Sequence, residues 1–312
     1  MEVTNMTSVT SMPNQASMAG WLNMPDMPGM PDMAAIFPRI PLGQWLEAAI
    51  EFLVTHLAPA TRAFSAVTES GLNLLEAGLD ALPPALVIAV VGLAAWRVTR
   101  KVGLGVFAVA GLALVWNMGL WQATMSTLAL VLVATLLAVL VGIPLGIAAA
   151  MSDRARAVVM PVLDVMQTMP AFVYLIPAIP FFGLGKVAAV FATVIFAMPP
   201  AIRFTCLGIR QVPAELVECA EAFGTGRFQR LVKLELPLAA PTMLAGVNQT
   251  VMLALSMVVI AAMIGARGLG GEVWKAIQRL EMGNGFEAGI GIVIVAICLD
   301  RILQHVGKRV GG

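Results

Sequence analysis

Val102–Ser152 reads VGLGVFAVAGLALVWNMGLWQATMSTLALVLVATLLAVLVGIPLGIAAAMS, a stretch without a single Asp, Glu, Lys or Arg. Two more charge-free stretches follow, Val187–Ile202 and Leu236–Ala266. A membrane-spanning helix needs about 20 apolar residues, so the first stretch has room for two spans and each of the others for one. The chain of 312 residues is 59% hydrophobic and only 12% charged, whereas soluble domains carry about 25% charged residues. The composition predicts a membrane protein.

Seven helical spans are predicted in an all-α membrane fold. They are Leu82–Val98, Val102–Trp116, Ala123–Ala150, Val158–Phe182, Val187–Cys206, Ala239–Gly265 and Phe286–Leu303. The fourth is the least regular, because Pro161, Pro170, Pro177 and Pro180 interrupt it. A broken helix is tolerated in a membrane where it faces protein or a water-filled cavity.

The first 81 residues differ from the rest and are predicted to form an extracytoplasmic tail, followed by a transmembrane domain over 82–312. Residues 1–41 are rich in Met and Pro, and proline at that density excludes a helix. A disordered tail is favoured there over a Cu(I) site, since no His or Cys accompanies the methionines. From Leu42 to Leu82 the pattern predicts amphipathic helices, with a second one over Thr61–Leu79. These helices lie on the membrane surface or pack on the rest of the chain.

The distribution of basic residues predicts the orientation. With the N-terminus outside, thirteen Lys and Arg residues fall in the inner loops and tail, and six fall in outer segments. The positive-inside rule then places the C-terminus in the cytoplasm. No basic cluster with interleaved aromatic residues indicates nucleic-acid binding. The three cysteines and two histidines show no spacing typical of a metal site, a disulfide framework or a catalytic triad.

The segment Gln211–Glu235, QVPAELVECAEAFGTGRFQRLVKLE, is charged and helical between two apolar spans. Pro213 is placed to begin one helix, Gly224 and Gly226 interrupt it, and a second helix follows. The pattern predicts a knob of two short helices in the cytoplasmic loop 207–236, although an ordinary solvated loop is the simpler alternative.

Glu218-Cys219-Ala220, three residues, Gly224, nine residues and Leu234-Glu235-Leu236-Pro237 resemble the EAA motif of binding-protein-dependent ABC importer permeases. That motif is Glu-Ala-Ala, three residues, Gly, nine residues, then Ile-x-Leu-Pro. Every spacing fits, and the departures are Cys219 for Ala and Leu234 for Ile. The resemblance implies that the knob is a coupling helix held in a groove of a cytoplasmic ATPase. Glu218 would then face a basic group, Ala220 and Phe223 would fill the groove, and Gly224 would make the bend.

The same resemblance implies the energy source and the partners. The sequence has no GxxxxGK[ST] phosphate-binding loop, so this chain is expected to bind no cofactor and to be no enzyme. ATP and Mg²⁺ are expected in the partner subunit. The family implies two ATPase subunits, a second permease copy as a homodimer, an extracytoplasmic solute-binding protein and a location in the bacterial plasma (inner) membrane.

A second resemblance narrows the cargo. Asp164–Leu175, Val212–Leu216 and Ala245–Ile260 are similar to segments in permeases for glycine betaine, proline betaine and choline, and the likeness runs from about Leu82 to Asp300-Arg301. Import of such a quaternary amine is therefore expected. An ABC permease for an amino acid such as methionine, a self-sufficient secondary transporter and a membrane anchor or sensor stay open as alternatives.

Polar and aromatic residues within the spans are the candidates for a translocation path. Asp164 lies roughly 9 Å into the fourth span and either lines an inner gate with Gln167 or bonds a neighbouring helix. Phe172 and Tyr174 are expected to pack, with contact to a passing quaternary ammonium as the alternative.

Asn248 and Gln249 in the sixth span either line the path or bond across helices. Gly142, Gly146 and Pro144 in the third span are expected to allow close helix packing or a kink rather than to bind anything. Arg203, Asp300 and Arg301 are expected to snorkel or pair near inner helix ends.

Overall fold

The computed structural model describes residues 41–310, and within that range it contains helices and no β-strand. The predicted all-α class is confirmed. Of the described residues, 50–310 form one compact unit. The Met- and Pro-rich segment that precedes residue 41, with the alternatives of disorder and metal binding, lies outside the described residues.

The first helix, α1 (Leu42–Asp80), is continuous over 39 residues and runs through Pro59. The prediction of a separate second helix over Thr61–Leu79 is wrong, because tertiary contacts hold the second half of α1 in place. Leu72 is buried, and the ring centroids of Phe64 and Phe182 lie 5.4 Å apart. The Lys186 ammonium is 2.5 Å from the Glu76 carboxylate. This half of α1 therefore packs on the rest of the chain.

The other helices follow with short connections. They are α2 (Pro84–Thr99), α3 (Val102–Asn117), α4 (Trp121–Met151), α5 (Asp153–Thr168), α6 (Leu175–Phe182), α7 (Lys186–Arg210), α8 (Ala214–Ala222), α9 (Arg227–Arg230), α10 (Leu236–Ala262), α11 (Leu269–Arg279) and α12 (Met282–Val310). A 3₁₀ turn, Ala171–Tyr174, precedes α6, and a π-helical turn, Leu231–Glu235, joins α9 to α10.

Three of the described helices are long and apolar enough to cross a membrane alone: α4, α7 and the continuous run Arg227–Ala262. The number rises to five if two bent pairs each make one span, namely α1 with α2 and α5 with residues 171–182. All seven expected spans coincide with helices. However, α2 and α3 have 16 residues each, about 24 Å at 1.5 Å per residue, which is short of the ~30 Å hydrocarbon core. Seven crossings stay a prediction.

The centre of the fold is the contact of α4 with α7 and of α7 with α10, where small residues let the helices approach closely. A Cβ on Gly146 would lie 2.6 Å from Thr205 Cβ and 2.7 Å from the Ile202 carbonyl oxygen. A Cβ on Gly142 would lie 2.9 Å from Ala201 Cβ. Close approach of small residues is the usual way helices associate in lipid, and the packing role expected for both glycines is confirmed.

The fourth predicted span is broken as expected. The chain bends by 112° between α5 and residues 171–182, at Met169 and Pro170, whose backbones are extended. Proline disfavours the helical conformation of the residue before it, so the break falls where the sequence places Pro170.

Candidate functional site

The loop between α7 and α10 contains one short helix, α8, as expected, but the second helix is not short. It begins at Arg227 and continues without a break through the π turn into α10. Pro213 precedes α8, whose last turn ends at Phe223. Gly224 has φ +75°, a backbone conformation that favours glycine because it has no Cβ. The Thr225 hydroxyl donates to the Ala220 carbonyl at 2.5 Å, so the chain reverses tightly before α9. Gly224 therefore makes a real bend in this loop.

The surface of this knob carries apolar side chains that nothing in the described structure covers. Phe223 is 85% exposed and Phe228 is 77% exposed. Glu218 and Cys219 are exposed beside them, while Ala220 is half-buried. Exposed large aromatic residues in an otherwise charged loop are typical of a protein–protein contact. The arrangement can dock a partner through Phe223 and Phe228 and place Glu218 against a basic group.

The second half of the EAA-like pattern anchors the knob to the helical core. Leu236 packs against a buried cluster of Ile209, Leu231 and Ala239. Leu234 is half-buried and Pro237 is exposed. Pro237 is the second residue of α10 and directly follows the π turn of the continuous run Arg227–Ala262. The pattern thus divides into an exposed half on α8 and an anchored half at the start of α10.

An ion-pair bridge joins these two halves, and sequence reasoning missed it. Arg230 Nε donates to Glu235 Oε1 at 2.7 Å, and Arg230 Nη1 donates to Glu221 Oε1. The Glu235 side chain is only 10% exposed. The charges were visible in the sequence, but their spacing of five residues did not indicate a pair because α-helical neighbours are three or four residues apart.

The structure places Asp164 in an ion pair with Arg203 of α7. The two alternatives for Asp164, a bond to a neighbouring helix and an exposed position beside Gln167, are therefore not exclusive. The pair bonds α5 to a neighbouring helix, while the Asp164 side chain stays 66% exposed. Gln167, three residues further along α5, is also exposed. The expectation that Arg203 pairs or snorkels is met by this contact.

The two aromatic candidates on the broken span differ in burial. Tyr174 is buried, its hydroxyl donates to the Met166 carbonyl, and its ring makes an edge contact with Phe196 at 5.6 Å. Tyr174 therefore packs, as expected, and closes the bend between α5 and α6. Phe172 is 53% exposed and is available to a ligand.

Asn248 and Gln249 also differ in burial. Asn248 is buried and donates to Asp300 Oδ1 at 2.8 Å, which bonds α10 to α12. Gln304 donates to the same oxygen at 2.7 Å. Gln249 is exposed and, with Phe204, lines a cavity of about 420 Å³ between α7, α10 and α12. Asn248 lines the same cavity, so it both bonds a neighbouring helix and borders open space, while Gln249 only borders it.

A second ion pair lies at the N-terminal end of α5. Arg210 of α7 bonds Asp153, and this hydrogen bond and charge hold the pKa of the Asp153 carboxyl below its usual range. Within residues 41–310, no group of three or more His, Cys, Asp and Glu side chains could hold a metal ion. The described residues therefore offer interhelical ion pairs and hydrogen bonds, and an exposed aromatic surface on the knob.

Comparison with known proteins gives a family match over residues 142–312, to the model described as "Binding-protein-dependent transport system inner membrane component". The chain is 48% identical over 269 residues to the glycine betaine transport system permease protein OpuAB of Bacillus subtilis (strain 168). That alignment covers 86% of this chain and 95% of the relative. It is 50% identical over 278 residues to the glycine betaine/carnitine transport permease protein GbuB of Listeria monocytogenes, covering 87% of this chain and 97% of that protein.

A third relative is the glycine betaine/proline betaine transport system permease protein ProW of Escherichia coli (strain K12), 48% identical over 86% of this chain and 76% of that protein. Among solved structures, an inward-facing conformation of the MetNI methionine ABC transporter aligns with a TM-score of 0.54. That match covers 59% of this chain and 93% of the other at 20% identity, so it shows a shared fold alone.

Proposed function

Because the chain belongs to the family of binding-protein-dependent transport system inner membrane components, we propose that it is the permease subunit of an ATP-driven importer for glycine betaine or a similar quaternary ammonium solute. The observation that carries the cargo is the identity of about 48–50% to three permeases named for glycine betaine, over 86–87% of this chain. The similarity to the methionine transporter is far lower, at 20% identity, and supports no methionine cargo.

Energy would reach the permease through the knob. The exposed aromatic surface of Phe223 and Phe228 has the character of an interface core. An ATPase subunit docked there would bind ATP and Mg²⁺ itself, and closure of two such subunits would draw two knobs together. Glu218, exposed on α8 beside that surface, would pair with a basic group of the ATPase.

The remaining partners follow from the same proposal. A second copy of the permease would complete the pathway, and an extracytoplasmic solute-binding protein would deliver the solute. The chain would lie in the bacterial inner membrane with its N-terminus outside and its C-terminus in the cytoplasm, as the thirteen-to-six division of basic residues supports.

The translocation path would run along the exposed side of the broken span. Asp164, Gln167 and Phe172 are exposed on this segment, and an aromatic face and a carboxylate both attract quaternary ammonium groups. Tyr174 would stay out of the path because it is buried. Such contacts are weak, which suits a permease that must release its cargo.

Competition in uptake tests the proposed cargo. Cells expressing the chain with its ATPase and binding protein would be given labelled glycine betaine with excess unlabelled proline betaine, choline or methionine. Proline betaine is expected to inhibit and methionine is not. Strong inhibition by methionine, with no betaine uptake above background, would overturn the cargo in favour of the amino-acid alternative.

A further inference from the structure

Arg230 lies between two carboxylates that belong to different parts of the knob. Its Nε donates to Glu235 Oε1 at 2.7 Å, and its Nη1 donates to Glu221 Oε1. The Arg230 side chain is 22% exposed and that of Glu235 is 10% exposed. A planar guanidinium can bond two partners from a fixed geometry, which a lysine ammonium cannot do as rigidly. One side chain therefore joins α8 to the chain segment that begins α10.

The π-helical turn makes this bridge possible. In an α-helix of 3.6 residues per turn, two residues five apart are rotated by about 140° and face different directions. In the turn Leu231–Glu235 the N–H of Leu236 bonds the Leu231 carbonyl, the i→i+5 pattern that brings residues five apart onto one face. Arg230 and Glu235 are five apart, so their ion pair and the π turn stabilise each other.

The bridge spans the glycine turn of the knob. Gly224 and Gly226 lie between α8 and α9, and Gly224 holds a left-handed backbone that favours glycine. Glu221 lies two residues before the exposed Phe223 on one side of these glycines. Glu235 ends the π turn on the other side, directly before α10. Phe228 lies on the continuous run Arg227–Ala262, whereas α8 with Phe223 is joined to that run by the glycine turn and by the bridge.

We propose that Arg230 is a positioning residue that transmits movement of the docking surface on α8 to the membrane helix α10, by holding Glu221 and Glu235 in one rigid ion-pair bridge. The proposal rests on the proposed function, since it requires an ATPase that moves α8. It assigns force transmission to the Glu221–Arg230–Glu235 bridge and docking to the exposed Phe223 and Phe228. Loss of the bridge then separates ATP hydrolysis from transport while the ATPase stays bound.

The test measures solute imported per ATP hydrolysed, in proteoliposomes that hold the full permease with its ATPase and binding protein. Two variants break the bridge: Glu221→Gln cuts only the link to α8, and Arg230→Met removes both links. Each is expected to lower the ratio at least about fivefold, the low end of usual coupling between sites. Retention of the ATPase on purification and continued hydrolysis are expected for Glu221→Gln.

The matched controls are Glu215→Gln, on α8 like Glu221, and Lys233→Met in the π turn. Both side chains are exposed and lie outside the bridge, so both variants are expected to keep the wild-type ratio. If Arg230→Met fails to assemble because it leaves Glu235 buried without a partner, Glu221→Gln decides alone. A wild-type ratio in Glu221→Gln would overturn the proposal, and so would loss of the ATPase from that variant.

Failure of this inference is distinguishable from failure of the proposed function. If the wild-type complex imports solute without any need for ATP hydrolysis, the proposed function itself is wrong. If the wild type imports in an ATP-dependent way and the bridge variants do so with the same ratio, only the role of Arg230 is wrong.

Discussion

Arg203 on α7 forms an ion pair with Asp164 on α5, and Arg210 on α7 pairs with Asp153 on α5. The two carboxylates lie about three turns apart on α5 and the two arginines about two turns apart on α7. The two pairs attach the first half of the broken span to α7. Three large apolar side chains, Val158, Val162 and Val165, are exposed on the same helix, and of its residues only Leu163 is buried. Besides Leu163, the two ion pairs are therefore the specific side-chain contacts that hold α5 against α7.

Asp164→Asn is expected to reduce uptake several-fold without loss of membrane insertion. An exposed ion pair contributes at most about 1 kcal/mol, too little to unfold the protein, but its loss frees the middle of α5 beside the proposed path. Uptake rate and membrane content would be measured together. Asp153→Asn is the matched control, since its carboxylate is 88% exposed at the start of the helix, and a smaller effect is expected. Equal uptake in Asp164→Asn and wild type would contradict a role for this pair.

Glu218→Arg is expected to abolish uptake and leave insertion intact, because it places a positive charge against a basic group of the ATPase. The readouts are solute uptake and the amount of permease in the membrane fraction. Glu215→Arg carries the same change one turn earlier on α8 and should be tolerated better. Normal uptake by an inserted Glu218→Arg protein would refute the assignment of α8 as the coupling helix.

Phe223→Asp is expected to release the ATPase during purification. The side chain is 85% exposed, so the substitution leaves the fold unchanged, whereas it would place a charge in an apolar interface. Gln229→Asp adds the same charge at an exposed polar position of the knob and should retain the ATPase. Full retention by Phe223→Asp would show that the ATPase docks elsewhere.

Gly146→Val is expected to destabilise the protein, since even a Cβ would lie 2.6 Å from Thr205 Cβ. Overpacking of this kind costs about 1–3 kcal/mol. A drop in melting temperature in detergent would measure it. Gly103→Val is the control, because nothing lies within 4 Å of a Cβ at Gly103. An unchanged melting temperature for Gly146→Val would argue against the α4–α7 contact.

Glu76→Lys is expected to loosen the second half of α1 by opposing Lys186, whose ammonium lies 2.5 Å from the Glu76 carboxylate. The side chains are 18% and 26% exposed, so the pair is partly shielded from solvent. Faster proteolysis of α1 would report the loosening, and the exchanged pair Glu76→Lys with Lys186→Glu should restore resistance. Glu69→Lys, exposed on the same helix, should have no effect. Equal cleavage of Glu76→Lys and wild type would rule out a tether at this point.

Much of the fold could be predicted because a bilayer allows few kinds of backbone structure to cross it. Lipid requires backbone hydrogen bonds to be satisfied within each span, so the charge-free runs indicated helices, and Pro170 indicated where one would break. The glycines of the knob indicated its bend, and Gly142 and Gly146 indicated close packing.

Contacts that depend on tertiary structure could not be predicted. Asp164 and Arg203 are 39 residues apart, and only the pairing of α5 with α7 brings them together. Burial of Tyr174 follows from the bend at Pro170, and the Arg230–Glu235 pair follows from a π turn that has no recognised sequence pattern. The continuity of α1 through Pro59 was likewise not evident, because proline usually kinks or ends a helix.

Uptake of labelled glycine betaine tests the central claim most directly. Proteoliposomes would hold the permease with its binding protein and either an active ATPase or one that binds ATP without hydrolysing it. Accumulation is predicted with ATP and the active ATPase only. Accumulation that is the same with the inactive ATPase would contradict an ATP-driven importer and favour a self-sufficient secondary transporter.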